Sequence, residues 1–131
     1  MKKITLTCAH AVVKYLIAQK ILINGKKEPL FPGVFGIFGH GNVACLGQAL
    51  EENQNELPTY RGHHEQNMAL TGIGYARAKR RQQIFIATSS VGPGATNMVT
   101  AAGVAMSNSC QFYFYQGIHM QTECQIQFYN K

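Results

Sequence analysis

The segment 61–69 contains one carboxylate, Glu65, in a chain where acidic side chains are scarce. No other Asp or Glu lies between Glu56 and Glu123. Glu65 follows a short β-like run and stands at the start of a long helical pattern. A carboxylate in the first turn of a helix is stabilised by the helix dipole, which gives one structural interpretation. Strand-to-helix junctions are also where α/β proteins place their chemistry, and we favour this functional interpretation.

Histidines could also do chemistry here, in two glycine-containing segments. His40 stands between Gly39 and Gly41, where it could serve as a ligand or a base, although a lone histidine is more often neither. The adjacent residues His63 and His64 do not predict a metal site, because neighbouring side chains diverge in both helices and strands.

A third loop contains Gly92-Pro93-Gly94 after two serines. It lacks the lysine of a phosphate-binding P-loop and the glycine spacing of a dinucleotide-binding loop. Ser89 and Ser90 lack the G-x-S-x-G surroundings of a hydrolase nucleophile. A turn with no further role is therefore an open interpretation of this loop.

Three strand-loop-helix units position these residues. Apolar runs predict strands at 34–38, 57–60 and 83–88. Helical spacing predicts helices from Thr5 or Thr7 to about Gln19, over 43–50, from the Glu65 segment to about Arg81, and from about Asn97 to Met106. Small residues along the third helix, including Gly72 and Gly74, predict close packing against another element. The repeat predicts an α/β fold with a parallel sheet and ligand sites at the carboxyl ends of the strands.

Composition limits the classes of protein. At 131 residues the chain is one domain at most, and its 46% hydrophobic content is enough for a core. Charged residues are only 14%, which is typical of a chain that buries several faces or has one covered by a partner. The net charge of +6 comes partly from cations at 77–81, which we interpret as a solvated helix end. Without a nucleic-acid-binding motif, that cluster does not predict a nucleic-acid partner.

The four cysteines, Cys8, Cys45, Cys110 and Cys124, are far apart and show no C-x-x-C spacing. They predict free thiols in a reducing compartment rather than zinc or a disulfide framework. No stretch is long enough to span a membrane. We therefore expect a cytoplasmic location and no membrane partner.

Taken together, the three loops resemble the pyrimidine-binding domain of thiamine diphosphate enzymes. The matching strings are FGIFGHGN at 35–42, RGHHEQNMA at 61–69 and TSSVGPGATN at 88–97. The HEQ-x-x-A and GPGATN strings are typical of the group that includes acetolactate synthase, pyruvate oxidase and glyoxylate carboligase. The FGHGNV and SSVGPGATNM strings are most similar to the trihydroxycyclohexanedione hydrolases of inositol breakdown. Other members usually carry proline where Gly39 stands.

The resemblance implies a three-layer α/β/α fold around a parallel sheet, incomplete on its C-terminal side. It also implies that Glu65 is catalytic and hydrogen-bonds the N1′ nitrogen of the cofactor's aminopyrimidine, favouring the imino tautomer. Gly39, Pro93 and Asn97 match positions that line the pyrimidine, and His40 is placed where substrate could be met. In the family, the cofactor cleaves a carbon–carbon bond beside a ketone, with a hydrolytic outcome.

The family binds the diphosphate and Mg²⁺ through a separate C-terminal domain with a GDG…N motif, which these 131 residues lack. Its site forms between two subunits. We therefore expect the pyrimidine end of the site alone, no metal ligands, no activity of the chain by itself, and a second subunit or the diphosphate-binding domain of a full-length enzyme as partner. One alternative is a piece of an acetolactate synthase-like or glyoxylate carboligase-like enzyme. Another is a non-catalytic module that binds a full-length homologue.

Residues 109–131 differ in character from the domain predicted over 1–108. After Cys110, aromatic residues and glutamines occupy 111–116, where the family has an apolar strand and then a Gly-Asp turn. An aromatic edge strand is one interpretation of this segment. Under that interpretation the strand of the family is replaced by one of different composition.

A frameshift is the other interpretation of the tail. Reading the third base of each codon with the first two bases of the next forces Leu at 112–113, Ala at 120–121 and Leu at 128–129. The remaining codons allow PVLFLPGDTYADRMPDPVLQQ, which resembles the family's segment. We hypothesise a single frameshift near 107–110, which sequencing of the gene would test. We then expect the sheet to end early and the tail to be poorly ordered.

Overall fold

A computed structural model describes residues 5–116. The first elements are α1 (Cys8–Ala18) and a hairpin of β1 (Lys20–Ile23) and β2 (Lys26–Pro29). The backbone N–H of His10 donates to Thr7 Oγ1 at 3.2 Å, so the predicted cap by Thr7 is confirmed. The pairing of β2 was not predicted, although Asn24-Gly25 is a typical hairpin turn and both residues have positive φ, 49° and 79°.

Four short strands form one parallel sheet. They are β3 (Val34–Gly36), β4 (Thr59–Arg61), β5 (Ile86–Ser89) and β6 (Tyr113–Gln116). The strand order is β4-β3-β5-β6, and Val34 pairs with both Thr59 and Ile86. The predicted parallel sheet is confirmed, with the three predicted strands side by side.

Helical segments follow the strands. They are α2 (His40–Asn42), a π-helical turn (Val43–Gly47), α3 (Gln48–Glu52), α4 (Glu65–Ala78), α5 (Pro93–Thr96) and α6 (Val99–Ser107). The helix predicted from about Asn97 to Met106 is confirmed as α6, but the separate short helix α5 before it was not predicted. α4 also ends earlier than predicted. Arg80 and Arg81 have φ of 52° and 62°, and the N–H of Arg81 returns to the carbonyl of Ala76 at 2.7 Å, which closes the helix.

Apolar side chains form two clusters on opposite faces of the sheet. Ile86 and Ala87 are successive residues of β5 and lie in different clusters, because side chains alternate across a strand. The cluster that includes α1 and α3 consists of Val13, Leu16, Phe31, Val34, Leu46, Ala49, Leu50, Leu57, Ala76, Ile84 and Ile86. The cluster between α4, α6 and the sheet consists of Ala69, Ile73, Ala87, Met98, Ala101, Ala105 and Cys110. Helices thus cover both faces, which confirms the α/β class. Within residues 5–116 no helix is both long and apolar enough to cross a membrane.

The small residues of α4 have two different explanations. A Cβ at the buried Gly72 would collide with the ring of Phe112, so the predicted close packing is confirmed there. At Gly74 a Cβ would meet nothing within 4 Å. Close packing therefore does not explain this second glycine.

The expectation that the sheet would end early was wrong. β6 pairs with β5 in parallel, from Ile86 opposite Tyr113 onward, at the edge of the sheet. Phe112 and Phe114 pack against the α4–α6 cluster, whereas Tyr113 packs against the other cluster, with its ring centre 5.8 Å from that of Phe31. Successive side chains of β6 point to opposite faces of the sheet. Aromatic side chains pack well on such a half-buried surface, so they can cover both faces here. The expected disorder of the tail otherwise concerns residues 117–131, outside the described part, and the domain boundary at residue 108 stays a prediction.

Candidate cofactor site at the carboxyl ends of the strands

The loops after β3, β4 and β5 converge at one edge of the sheet. The Gly62 N–H donates to the Gly36 carbonyl at 3.3 Å, which connects the ends of β4 and β3. The Ile37 N–H donates to the Thr88 carbonyl at 3.1 Å, which connects the ends of β3 and β5. Since the strands are parallel, their carboxyl ends must share this edge, where open α/β sheets bind ligands.

Gly39 lies directly against Ser90. A Cβ on residue 39 would be 2.7 Å from the Cβ and 3.3 Å from the Cα of Ser90. Neither Ser90 atom can move away by a side-chain rotation, so a larger residue at 39 would push the two loops apart. The buried amide of Asn42 crosses the same gap and donates to the Ser89 carbonyl at 3.4 Å.

Glu65 is the first residue of α4 and is half-buried. Its Oε2 accepts a hydrogen bond from Asn97 Nδ2 at 2.9 Å. Asn97 follows α5, and its backbone N–H donates to the Pro93 carbonyl at 3.0 Å. The α5 turn thereby aims the amide of Asn97 at the carboxylate. Among residues 5–116, Asn97 is the only hydrogen-bond partner of the Glu65 side chain.

The second carboxylate oxygen of Glu65 faces a glycine. A Cβ on the buried Gly94 would lie 3.1 Å from Glu65 Oε1 and would collide with Ser90 Oγ. Residue 94 therefore has no room for a side chain between Ser90 and Oε1. One carboxylate oxygen is held in place and the other has no hydrogen-bond partner among residues 5–116, an arrangement that fits a ligand with a ring nitrogen able to share a proton with a carboxylate.

His64 precedes α4 and acts as its cap. The Asn67 N–H donates to His64 Nδ1 at 3.4 Å, while His64 Nε2 lies 3.5 Å from Asn97 Nδ2. The sequence interpretation considered this histidine only as a metal ligand and missed the contact. The sequence carried no signal for this contact, because histidine is not among the preferred N-cap residues. In the part of the chain that the structure describes, no three His, Cys, Asp or Glu side chains are grouped so as to hold a metal ion.

Comparison with known proteins identifies the family of the chain. The family described as "Thiamine pyrophosphate enzyme, N-terminal TPP binding domain" matches residues 29–112 of the chain. The chain belongs to this family. Thiamine pyrophosphate and thiamine diphosphate are the same cofactor, so the family resemblance of the three loops is confirmed.

Three relatives of this thiamine pyrophosphate enzyme domain have the same name. The chain is 53% identical over 109 residues to the 3D-(3,5/4)-trihydroxycyclohexane-1,2-dione hydrolase of Geobacillus thermodenitrificans, covering 83% of the chain and 17% of the relative. It is 49% identical over 109 residues to that of Clostridium tetani, covering 83% and 17%. It is 48% identical over 108 residues to that of Bacillus subtilis, covering 82% and 17%. The chain thus spans about one sixth of the length of these relatives.

The remaining predicted site residues of this thiamine pyrophosphate enzyme domain lie on the same edge. His40 is exposed at the start of α2, and the structure does not bring it into hydrogen-bond contact with Glu65 or Asn97. Pro93 is exposed at the start of α5, after Gly92 with φ of 66°. The roles of Gly39, Pro93 and His40 toward cofactor or substrate stay predictions.

Proposed function

We propose that this chain supplies the pyrimidine half of a thiamine diphosphate site. The enzyme class would be that of its relatives, hydrolysis of a carbon–carbon bond in trihydroxycyclohexanedione during inositol catabolism. The observation that carries the proposal is the state of Glu65. Its Oε2 is held by Asn97, and its Oε1 lies beside Gly94 with no hydrogen-bond partner among residues 5–116.

Each residue of the site would have a different role toward the cofactor. Glu65 Oε1 would exchange a proton with the N1′ nitrogen of the pyrimidine, and the Asn97 amide would fix the orientation of the carboxylate while it does so. Gly39 and Pro93 would border the ring. When bound, the cofactor supplies the electron sink for carbon–carbon cleavage.

The proposal requires a partner for the other end of the cofactor. The diphosphate and its Mg²⁺ would be held by a second subunit or by the diphosphate-binding domain of a full-length enzyme. Support comes from the length of the relatives, of which the chain matches 17%. The cytosol is the proposed location, on the basis of the wide spacing of the cysteines.

A chimeric enzyme tests the function. The segment of the Geobacillus hydrolase that aligns with this chain would be replaced by the corresponding residues of the chain. We expect the chimera to hydrolyse the dione with added thiamine diphosphate and Mg²⁺. Glu65→Gln should lower kcat/KM by roughly 100-fold or more, because a positioned acid–base group contributes that order of rate.

Glu52→Gln is the matched control for this substitution, because Glu52 is an exposed carboxylate on α3, at some distance along the chain from the three loops. Its kcat/KM should stay within about twofold of the chimera, as expected for a surface change. If Glu65→Gln is as active as the unsubstituted chimera, Glu65 does not have the proposed role.

Calorimetry of the 131-residue chain tests whether the chain supplies only the pyrimidine end of the cofactor site. Titration with thiamine diphosphate and Mg²⁺ should give no detectable heat of binding, because the chain would contact the pyrimidine and leave the charged diphosphate without ligands. A dissociation constant in the micromolar range would contradict the assignment of the diphosphate to a partner.

A further inference from the structure

Both ring nitrogens of His64 face N–H donors. Nδ1 lies 3.4 Å from the backbone nitrogen of Asn67, and Nε2 lies 3.5 Å from the side-chain nitrogen of Asn97. The orientation of the Asn97 amide is set by Glu65, since an ionised carboxylate can only accept and must face the NH₂ group. Neither donor can therefore be exchanged for an acceptor by reassigning the amide.

A neutral imidazole has one bare nitrogen, so His64 can accept from only one of these donors at a time. With Nδ1 bare it caps α4, and its Nε2 proton then points at the NH₂ group of Asn97. With Nε2 bare it accepts from Asn97 and leaves the Asn67 N–H without its cap. The helix start and the amide thus compete for one tautomer of the ring.

The surroundings favour a bare Nε2. Asn67 is exposed, and water can satisfy an uncapped N–H at an exposed helix start. His64 and its contact with Asn97 are exposed too, but Asn97 itself is half-buried beside Glu65, so two donors facing each other there would be less well hydrated than the N–H of the exposed Asn67. The helix start also keeps its hydrogen bond from the Met68 N–H to the His64 carbonyl at 3.1 Å.

We propose that His64 is a positioning residue of the candidate cofactor site, acting through Asn97. One hydrogen of the Asn97 amide is donated to Glu65 Oε2 and the other to His64 Nε2. Held at both hydrogens, the amide cannot rotate, and Oε1 stays directed at the space beside Gly94. The network exists without cofactor, and only its use in catalysis rests on the proposed function.

His64→Asn separates the two roles of the histidine. Asparagine is among the best helix caps, so it can accept from the Asn67 N–H and should not lower the unfolding midpoint, but it is too short to reach the Asn97 amide. In nitrogen NMR of the full 131-residue chain, the wild-type ring should show a bare Nε2. The order parameter of the Asn97 side-chain amide should fall from about 0.8 in the wild type to below about 0.6 in the variant.

Asn97→Ala provides a second test that does not need the His64 variant to fold. Without the amide, the His64 tautomer should shift to a bare Nδ1 that caps α4. A bare Nδ1 in the wild type, a tautomer unchanged by Asn97→Ala, or an equally ordered Asn97 amide in His64→Asn would each overturn the proposal.

In the active chimera, His64→Asn should lower kcat/KM about tenfold with unchanged stability, as expected when a catalytic group is misplaced rather than removed. Unchanged kcat/KM would overturn the catalytic use of the network. The NMR results are obtained without cofactor, so failure of the proposed function leaves them interpretable.

Discussion

The starts of α1 and α4 use the same kinds of residue with different results. At α1, Thr7 is the cap, and His10 connects its hydroxyl, 2.6 Å from Nδ1, to Glu52, whose Oε2 lies 2.8 Å from Nε2. At α4, the ring of His64 lies between the Asn67 N–H, which faces Nδ1, and the amide that holds Glu65, which faces Nε2. Each site combines a helix cap, a histidine and a carboxylate.

The two carboxylates differ in what remains free. Both oxygens of Glu52 are engaged, since Gln48 Nε2 donates to Oε1 at 3.0 Å while His10 contacts Oε2. The hydrogen bond with His10, followed by that with Gln48, lowers the pKa of Glu52 from its ordinary value of 4.5. Glu65 has one engaged oxygen and one beside a glycine. The residue types alone therefore do not define a ligand site. Glu52, with both oxygens hydrogen-bonded, connects two helices. Glu65 keeps one oxygen without a described partner, and that oxygen is able to bind a ligand.

The largest predicted effect concerns the close contact between Gly39 and Ser90, in the loops around the Glu65 site. Gly39→Ala would place a Cβ against the backbone and Cβ of Ser90, so we expect the free energy of unfolding to fall by about 1–3 kcal/mol. Gly74→Ala is the control, because its Cβ meets nothing and it should stabilise α4 by roughly 1 kcal/mol. Urea unfolding measures both. If Gly39→Ala leaves the free energy of unfolding unchanged, the loops after β3 and β5 are not in contact.

A smaller effect on the free energy of unfolding is expected from removing Thr7 at the start of α1 or His64 at the start of α4. Thr7→Ala should lower the free energy of unfolding by about 1 kcal/mol, because it removes a cap that the His10 N–H reaches at 3.2 Å. His64→Ala should cost less, roughly a few tenths of a kcal/mol, because its ring can serve Asn97 instead of the longer cap. Thermal unfolding of the two variants, side by side with the wild type, gives the order. The reverse order would show that His64 is mainly a cap.

The smallest effect is a pH dependence at the α1 start. Since the folded pKa of Glu52 is lowered, its contribution to stability is fully present above 4.5 and is lost as pH falls through the lower folded value. The stability difference between wild type and Glu52→Gln should therefore shrink on acidification and shrink further in high salt, because the pair is exposed. Urea midpoints over a pH series measure it. A difference that grows toward acid would contradict a lowered pKa of Glu52 in the folded chain.

Much of the fold could be predicted because it is local. Helical spacing and Thr7 predicted α1, apolar runs predicted the strands, and the Glu65 segment predicted the start of α4. The failures have nonlocal or unrecognised causes. The strand in the tail depends on an open position beside β5, and the π-helical turn after Asn42 depends on packing that no pattern encodes.

The candidate site, too, could be predicted only in part from the sequence. Parallel strands end at the same edge, so the sequence could place Gly39, Glu65 and Asn97 near one another. It could not predict that Asn97 holds Oε2, since that bond joins side chains separated by 32 residues and depends on their rotamers. Nor could it predict that His64 faces two donors.

The sequence by itself determined the family, the parallel α/β class and the edge of the sheet where chemistry would occur. These follow from periodicity and short motifs, which are properties of neighbouring residues. Only the tertiary structure decided which oxygen of Glu65 is held by Asn97, and that an aromatic segment of the tail occupies the sheet edge. Both depend on distances between residues far apart in the chain, and packing alone sets such distances.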